Sequence, residues 1–154
     1  MSLESVRAFL VQNAPDLHII ESDASTATVA QAAAAHGVAP RQIAKTLSLR
    51  IGEQVALIVV AGDARLDNRK FKAAFGAKPR MLDAVEVADI TGHPVGGVCP
   101  FGLARPLPIY CDSSLRDLGE VVPAAGAVNA ALRIDALRLA DLVGAQWVDV
   151  CQDL

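Results

Sequence analysis

An α+β domain, with a mixed and largely antiparallel central sheet surrounded by helices, is the fold class this sequence predicts. Three observations lead there. Several apolar stretches repeat at helical spacing, each with a Ser, Thr or Asp before it and a glycine just after. "IAKTLSLRIGEQVALIVVAGD" (residues 43–63) holds two apolar runs of strand length joined by Gly52-Glu53, the pattern of an antiparallel hairpin. The strand and helix candidates also interleave without the regular alternation of a doubly wound parallel sheet. At 154 residues, with no repeat, linker or low-complexity tract, the chain reads as one domain over residues 1–154.

The elements follow in order. Ser2 precedes Leu3, Val6, Phe9 and Leu10 at helical spacing, and this helix ends near Asn13-Ala14-Pro15. "LHIIE" (Leu17–Glu21) reads as a short strand. Ser25 or Thr26 is expected to cap the alanine-rich helix "TVAQAAAAHG", which Gly37 stops. After the hairpin come two short helices, Asp67–Gly76 with a basic face and Asp83–Gly92, each with an aspartate before it and a glycine behind. A glycine-rich loop leads into a strand around "LPIYCD", then strands near Glu120–Pro123 and Ala130–Ile134. Asp135 caps a last helix, "ALRLADLVG", ahead of a closing strand "QWVDV".

Composition narrows the function. Hydrophobic residues make up 53% of the chain, but much of that is alanine and valine, and the longest apolar run (Val55–Gly62) falls well short of the roughly 18 residues that span a bilayer. No signal peptide is visible in "MSLESVRAFL", so a soluble, cytoplasmic protein with no membrane partner is expected. Cys99, Cys111 and Cys151 include no C-x-x-C pair, and His18, His36 and His93 are scattered; neither a disulfide framework nor a metal site is expected, and no cofactor. The formal net charge of −3 argues against extended gripping of nucleic acid and limits any such contact to a small footprint. The one concentrated positive patch lies between Arg65 and Arg80, on what reads as a solvated helix face.

Two features carry possible chemistry. "GGVCPFG" (Gly96–Gly102) lacks the lysine and hydroxyl of a phosphate-binding P-loop. It is either a tight turn or a loop whose backbone N–H groups meet an oxygen gaining negative charge. Cys99 inside it admits a cysteine-nucleophile reading with His93 or His36 as base, against which stands the frequency of cysteine as a small core residue. Lys45, among the apolar residues of "IAKTLSL", either snorkels to solvent or places a fixed charge in a cleft.

Taken together, "STATVAQAAAAHGVAPRQIAKTLSLR", "VVAGDARLD" and "GHPVGGVCPFGL" resemble the YbaK/ProX family, free-standing relatives of the editing domain inserted in bacterial prolyl-tRNA synthetase. The resemblance runs from the alanine-rich helix to "LRLADLVGA". It implies the editing-domain fold and a trans-editing aminoacyl-tRNA deacylase, which cleaves the ester of a small mischarged amino acid (alanine, serine, threonine or cysteine) on tRNA, commonly a proline tRNA. The partners it implies are the acceptor end of aminoacyl-tRNA and, as a further candidate, prolyl-tRNA synthetase. Carried over residue by residue, Lys45 matches the family lysine, and Gly96, Gly97, Val98 and Pro100 fall in its G-x-x-x-P loop. Ser25, Thr26, Thr28, Phe101, Gly102 and Asp112 are then expected to border the substrate. The family offers no nucleophilic cysteine at the position of Cys99, and "PAAGAVNAALRI" lacks the basic stretch that some relatives carry. The competing readings are a hydrolase using Cys99 and a non-catalytic module that binds a tRNA end or a synthetase.

Overall fold

The computed structural model describes residues 2–153. Helix α1 (Ser2–Asn13) opens the chain, followed by the short strand β1 (Ile20–Glu21) and helix α2 (Val29–His36). The hairpin follows a 3-10 turn at Pro40–Gln42 and consists of β2 (Ile43–Ile51) and β3 (Gln54–Ala61). Next come α3 (Asn68–Phe75), β4 (Arg80–Met81) and α4 (Ala84–Thr91). The chain finishes with β5 (Ile109–Asp112), β6 (Glu120–Pro123), β7 (Ala130–Ala131), β8 (Ile134–Asp135), α5 (Ala136–Val143) and β9 (Gln146–Val148).

The main sheet runs β8-β6-β2-β3-β5-β9, with β4 also paired to β2, and β1 and β7 form a separate two-stranded ribbon. Its backbone is the antiparallel hairpin, in register from Ala44 opposite Ala61 to Ile51 opposite Gln54. Strands β5 and β9 extend the sheet in parallel from β3, and β6 joins β2 in parallel at Ile43 and Ala44. The sheet is mixed and mostly antiparallel, as its sequence predicts. Among the described residues no helix is long and apolar enough to cross a membrane.

Local chemistry accounts for the helix boundaries. Asp67, Asp83 and Asp135 each accept backbone N–H bonds from the first turn of α3, α4 and α5, and Gly76, Gly92 and Gly144 close those helices in the left-handed region. The cap of α2 differs from the one expected. Thr28, not Ser25 or Thr26, accepts from Gln31 N at 3.1 Å while Gln31 Oε1 takes the Thr28 N–H at 3.2 Å. Such a reciprocal box is worth about 1 kcal/mol, and only Thr28 has the glutamine three residues on. Ser2 is likewise no simple cap: its hydroxyl sits between the Gly126 carbonyl and His93 Nδ1, and its one proton serves one of them at a time.

Three aromatic contacts hold the layers. Phe71 and Phe75 of α3 lie 4.7 Å apart, and Phe75 meets Tyr110 of β5 edge-on at 5.0 Å. Phe9 of α1 packs on Phe101 at 5.9 Å, which draws the first helix onto the glycine loop. Full burial of a side chain such as Phe101 contributes about 1.5–3 kcal/mol. Two expected strands are shorter than the sequence predicts. Only Ile20-Glu21 of Leu17–Glu21 pairs, opposite Ala131 and Ala130, and the stretch Ala130–Ile134 splits between β7 and β8.

Candidate functional site

A cavity of about 280 Å³ opens where α2, the hairpin and the glycine loop converge. Residues 43–48 of β2 supply one wall, Thr26 and Thr28 at the start of α2 another, and Gly96 and Val98 a third. Ala124, Ala130 and Ala131 close the back, so the interior is narrow and mostly apolar. Met81 and Val95, both more than half exposed, form an apolar rim.

Lys45 lines this cavity, and its ammonium is held rather than free. Nζ donates to the Ala64 carbonyl at 3.0 Å and lies 3.5 Å from that of Gly62. A lysine has three N–H donors, so at least one remains for a ligand. The turn that presents those carbonyls depends on Gly62, where a Cβ would sit 2.1 Å from the Pro40 oxygen. Backbone closeness thus aims the charge, and the snorkelling alternative does not describe this side chain.

The hydroxyls beside it are partly committed. Thr28 Oγ1 accepts the helix-capping bond, which leaves its proton available as a donor. Thr26 is nearly buried and donates to the Val128 carbonyl at 3.3 Å, which leaves it acceptor capacity. Ser25, in contrast, is exposed and bonds the Gln31 amide at the outer side of the cap.

The glycine loop is both a packing device and a cavity wall. A Cβ on Gly97 would meet the Ala127 backbone at 2.8 Å; one on Gly96, whose φ is +89°, would meet the Ala27 Cβ at 2.7 Å. The Gly97 N–H donates to Pro94 O at 2.9 Å, and its carbonyl accepts from Gly126 N at 3.0 Å. That amide is therefore spent inside the turn and is not offered to a ligand, contrary to the expectation for this position. The amides of Gly96 and Val98 carry no hydrogen bond to another described residue.

The remaining expected residues are set apart from the cavity. Pro100 and Phe101 are buried behind the loop, with Phe101 against α1, and Gly102 packs so closely on Ser5 that a Cβ would lie 2.5 Å from its carbonyl. Phe101 and Gly102 therefore support the loop and do not line the cavity. Asp112 is fully buried, its carboxylate accepting from Ser114 N at 2.9 Å and Val150 N at 2.8 Å beside a second depression. Its role is to tie β5 to the chain after β9. Sequence reasoning also missed Thr46, Ser48 and Leu82, all of which line the cavity. The alternation of the strand carried no sign that its middle would lack a neighbour.

Cys99 is not a reactive thiol. It is completely buried, and desolvation pushes its pKa up to about 12. Its neighbour His93 is buried too, which pulls the imidazole below its ordinary value. His93 Nε2 donates to the Phe101 carbonyl at 2.7 Å, so the ring is tied to the loop backbone. His36, the other candidate base, belongs to α2 and is likewise lowered by burial, with Arg133 adding to the effect.

A compact α+β fold whose central hairpin, alanine-rich helix and glycine loop wall a small apolar cavity beside one lysine defines an editing-type domain. The chain belongs to the aminoacyl-tRNA editing domain family, whose model matches residues 23–142. It is 46% identical to the uncharacterized protein YwhH of Bacillus subtilis (strain 168), with 99% of each chain covered. It is also 35% identical over 119 residues to the proline–tRNA ligase of Solidesulfovibrio magneticus, covering 75% of this chain and about a fifth (20%) of the ligase. Among solved structures, a candidate trans-editing enzyme for prolyl tRNA synthetase superposes with a TM-score of 0.90 at 35% identity, covering 99% of this chain and 98% of the other.

Proposed function

We propose that this protein is a trans-editing aminoacyl-tRNA deacylase that hydrolyses the ester of a small mischarged amino acid, of the alanine, serine, threonine or cysteine class, on a proline tRNA. The observation that carries the reading is the cavity itself, which is small, apolar at its back and bordered by Lys45, Thr26, Thr28 and the Gly96–Val98 loop. An aminoacyl ester is already activated, so the protein need only orient water and stabilise charge. Water adds to the ester carbonyl carbon, the carbonyl oxygen becomes an oxyanion, and collapse breaks the bond to the ribose oxygen. The products are a free amino acid and a ribose hydroxyl. A hydroxyl of the substrate positions the water.

In this reading Lys45 supplies a fixed positive charge to the ribose and phosphate end of the acceptor strand. The unpartnered Gly96 and Val98 amides serve the oxyanion, in the manner of preorganised backbone donors. Pro100 stiffens the loop from behind. Met81 and Val95 give the rim an apolar face suited to the terminal adenine. The protein acts as one domain in the cytoplasm, gripping only the acceptor end, in keeping with its net charge of −3. Prolyl-tRNA synthetase is the proposed macromolecular partner beyond tRNA.

The test is initial rates on one proline tRNA charged in turn with alanine, serine, threonine, cysteine and proline. One or more of the small acyl groups is expected to be removed while proline is spared. The wall is steric, and a single methylene in an apolar pocket is worth only about 1–3 kcal/mol. Cleavage of the prolyl ester as fast as the alanyl ester overturns the small-pocket reading.

A further inference from the structure

The outer edge of β2 is covered by two strands that do not meet. β6 pairs with it at Ile43 and Ala44, and β4 pairs with it at Leu49 and Arg50. The bond from Leu82 N to Ser48 O, at 3.3 Å, is the last on the β4 side. Between these flanks, among the described residues, no strand pairs with β2 on the side away from β3.

The direction of the backbone groups in this gap follows from the hairpin. Its two-residue turn joins Ile51 to Gln54, the closing pair that exchanges hydrogen bonds across the strands. Antiparallel pairing alternates, so Leu49, Leu47 and Lys45 also point their N–H and C=O toward β3, whereas Ser48, Thr46 and Ala44 point theirs outward. The Leu82-to-Ser48 bond and the β6 pairing at Ala44 agree with that parity. Thr46 therefore presents an amide and a carbonyl into the gap, and Thr46 lines the cavity. Thr46 has a strand partner only on the β3 side, opposite Val59, and among the described residues neither outward group takes part in a pairing with β4 or β6 or in a loop hydrogen bond. Unpaired backbone groups on an otherwise laddered strand are a ready partner for an incoming strand-like ligand.

We infer that the Thr46 backbone is the docking rung for the aminoacyl group, and that the site reads a free α-amino group. This rests on the deacylase reading of the same cavity. An aminoacyl ester carries a donor amine and an acceptor carbonyl on either side of one Cα, the arrangement of a single strand residue. Set against the β2 edge, its α-ammonium donates to Thr46 O and its ester carbonyl accepts from Thr46 N–H, a one-residue form of strand addition. As the carbonyl oxygen gains charge, the Thr46 amide becomes a further donor to it beside those of the loop. An N-acylated aminoacyl ester has lost the ammonium and carries bulk at the rung, so it is excluded.

The inference is tested on the full chain, labelled with nitrogen-15 and titrated with 3′-(L-alanylamino)-3′-deoxyadenosine, an amide that is not hydrolysed, and with its N-acetyl counterpart. The Thr46 amide resonance is expected to shift and its hydrogen exchange to slow by up to about tenfold with the alanyl compound, the size of one hydrogen bond to a neutral carbonyl. The N-acetyl compound is expected to leave it unchanged. In parallel, an α-hydroxy acid placed at position 46 replaces the N–H by an ester oxygen, and is expected to lower kcat/KM on mischarged tRNA about tenfold with the melting curve retained. If resonances of Lys45 and Gly96 move and that of Thr46 does not, the docking rung is overturned and the deacylase reading stands. If no cavity resonance moves and no mischarged tRNA is cleaved, both fall.

Discussion

The His93 Nε2 and the Cys99 sulfur lie 3.6 Å apart, within reach of each other, yet both are bound to the same carbonyl. Nε2 donates to Phe101 O at 2.7 Å, and the thiol donates to it from 3.6 Å. The pair is fully buried, and burial stabilises both neutral forms. A thiolate–imidazolium couple would place two charges where neither is solvated. What resembles a catalytic pair is a clamp on the backbone that follows the cavity wall.

Cys99→Ser should therefore retain kcat/KM on mischarged tRNA within about threefold, since a hydroxyl can make the same bond to Phe101 O. Alkylating reagents should leave the native protein active. A folded, inactive C99S variant would restore the thiol-hydrolase reading.

Lys45→Ala should lose deacylation by about ten- to a hundredfold, as removal of a charge-assisted contact costs about 1.5–3 kcal/mol. The bond to Ala64 O at 3.0 Å ties the side chain to one turn, so the circular dichroism spectrum should be unchanged. Lys45→Arg should recover little, because a planar fork does not reproduce a compact ammonium wedged between two carbonyls. Near wild-type turnover by K45A removes Lys45 from the reaction.

Gly97→Ala should destabilise the protein by about 1–3 kcal/mol, because overpacking here falls on backbone that cannot rotate away. Its Cβ would lie 2.8 Å from the Ala127 nitrogen and carbonyl carbon. Urea denaturation measures the loss, and deacylation should fall with it as Gly96 and Val98 are displaced. A G97A variant as stable as the parent would mean that the loop does not rest on Ala127.

The buried His93 makes stability depend on pH. Burial places its folded pKa below the ordinary value of about 6.5, so the unfolded chain binds more protons. The stabilisation is fully present above pH ~6.5 and is lost as pH falls through the lower folded value, with His36 contributing in the same direction. The melting temperature should drop between pH 7.5 and 5, and His93→Gln should reduce that drop. An unchanged melting temperature across this range contradicts a neutral buried imidazole.

Much of the local structure was legible in the residues. The hairpin was readable because Gly52-Glu53 interrupts two apolar runs of matching length, and the boundaries of α3, α4 and α5 because an aspartate and a glycine bracket each. These are interactions between near neighbours, so adjacent residues suffice to specify them. The cap of α2 was harder, since Ser25, Thr26 and Thr28 compete; the Val128 carbonyl engages Thr26, and Gln31 selects Thr28. Of the residues that the resemblance gathers, Lys45, Thr26, Thr28, Gly96 and Val98 line the cavity.

Only the tertiary structure decided which residues reach the cavity. Phe101 and Gly102 belong to the same sequence motif as Gly96 and Val98, and the resemblance carries over Asp112 beside them, but α1 covers the first two and the segment after β9 engages the third. The open edge at Thr46 was invisible in the sequence, where positions 43–51 read as one uniform strand. It exists because β6 stops at Pro123 and β4 begins its pairing at Leu49, two facts about chain segments far from Thr46. Side-chain periodicity reports the face a residue occupies, whereas the partner of its backbone is set by whichever strand arrives beside it.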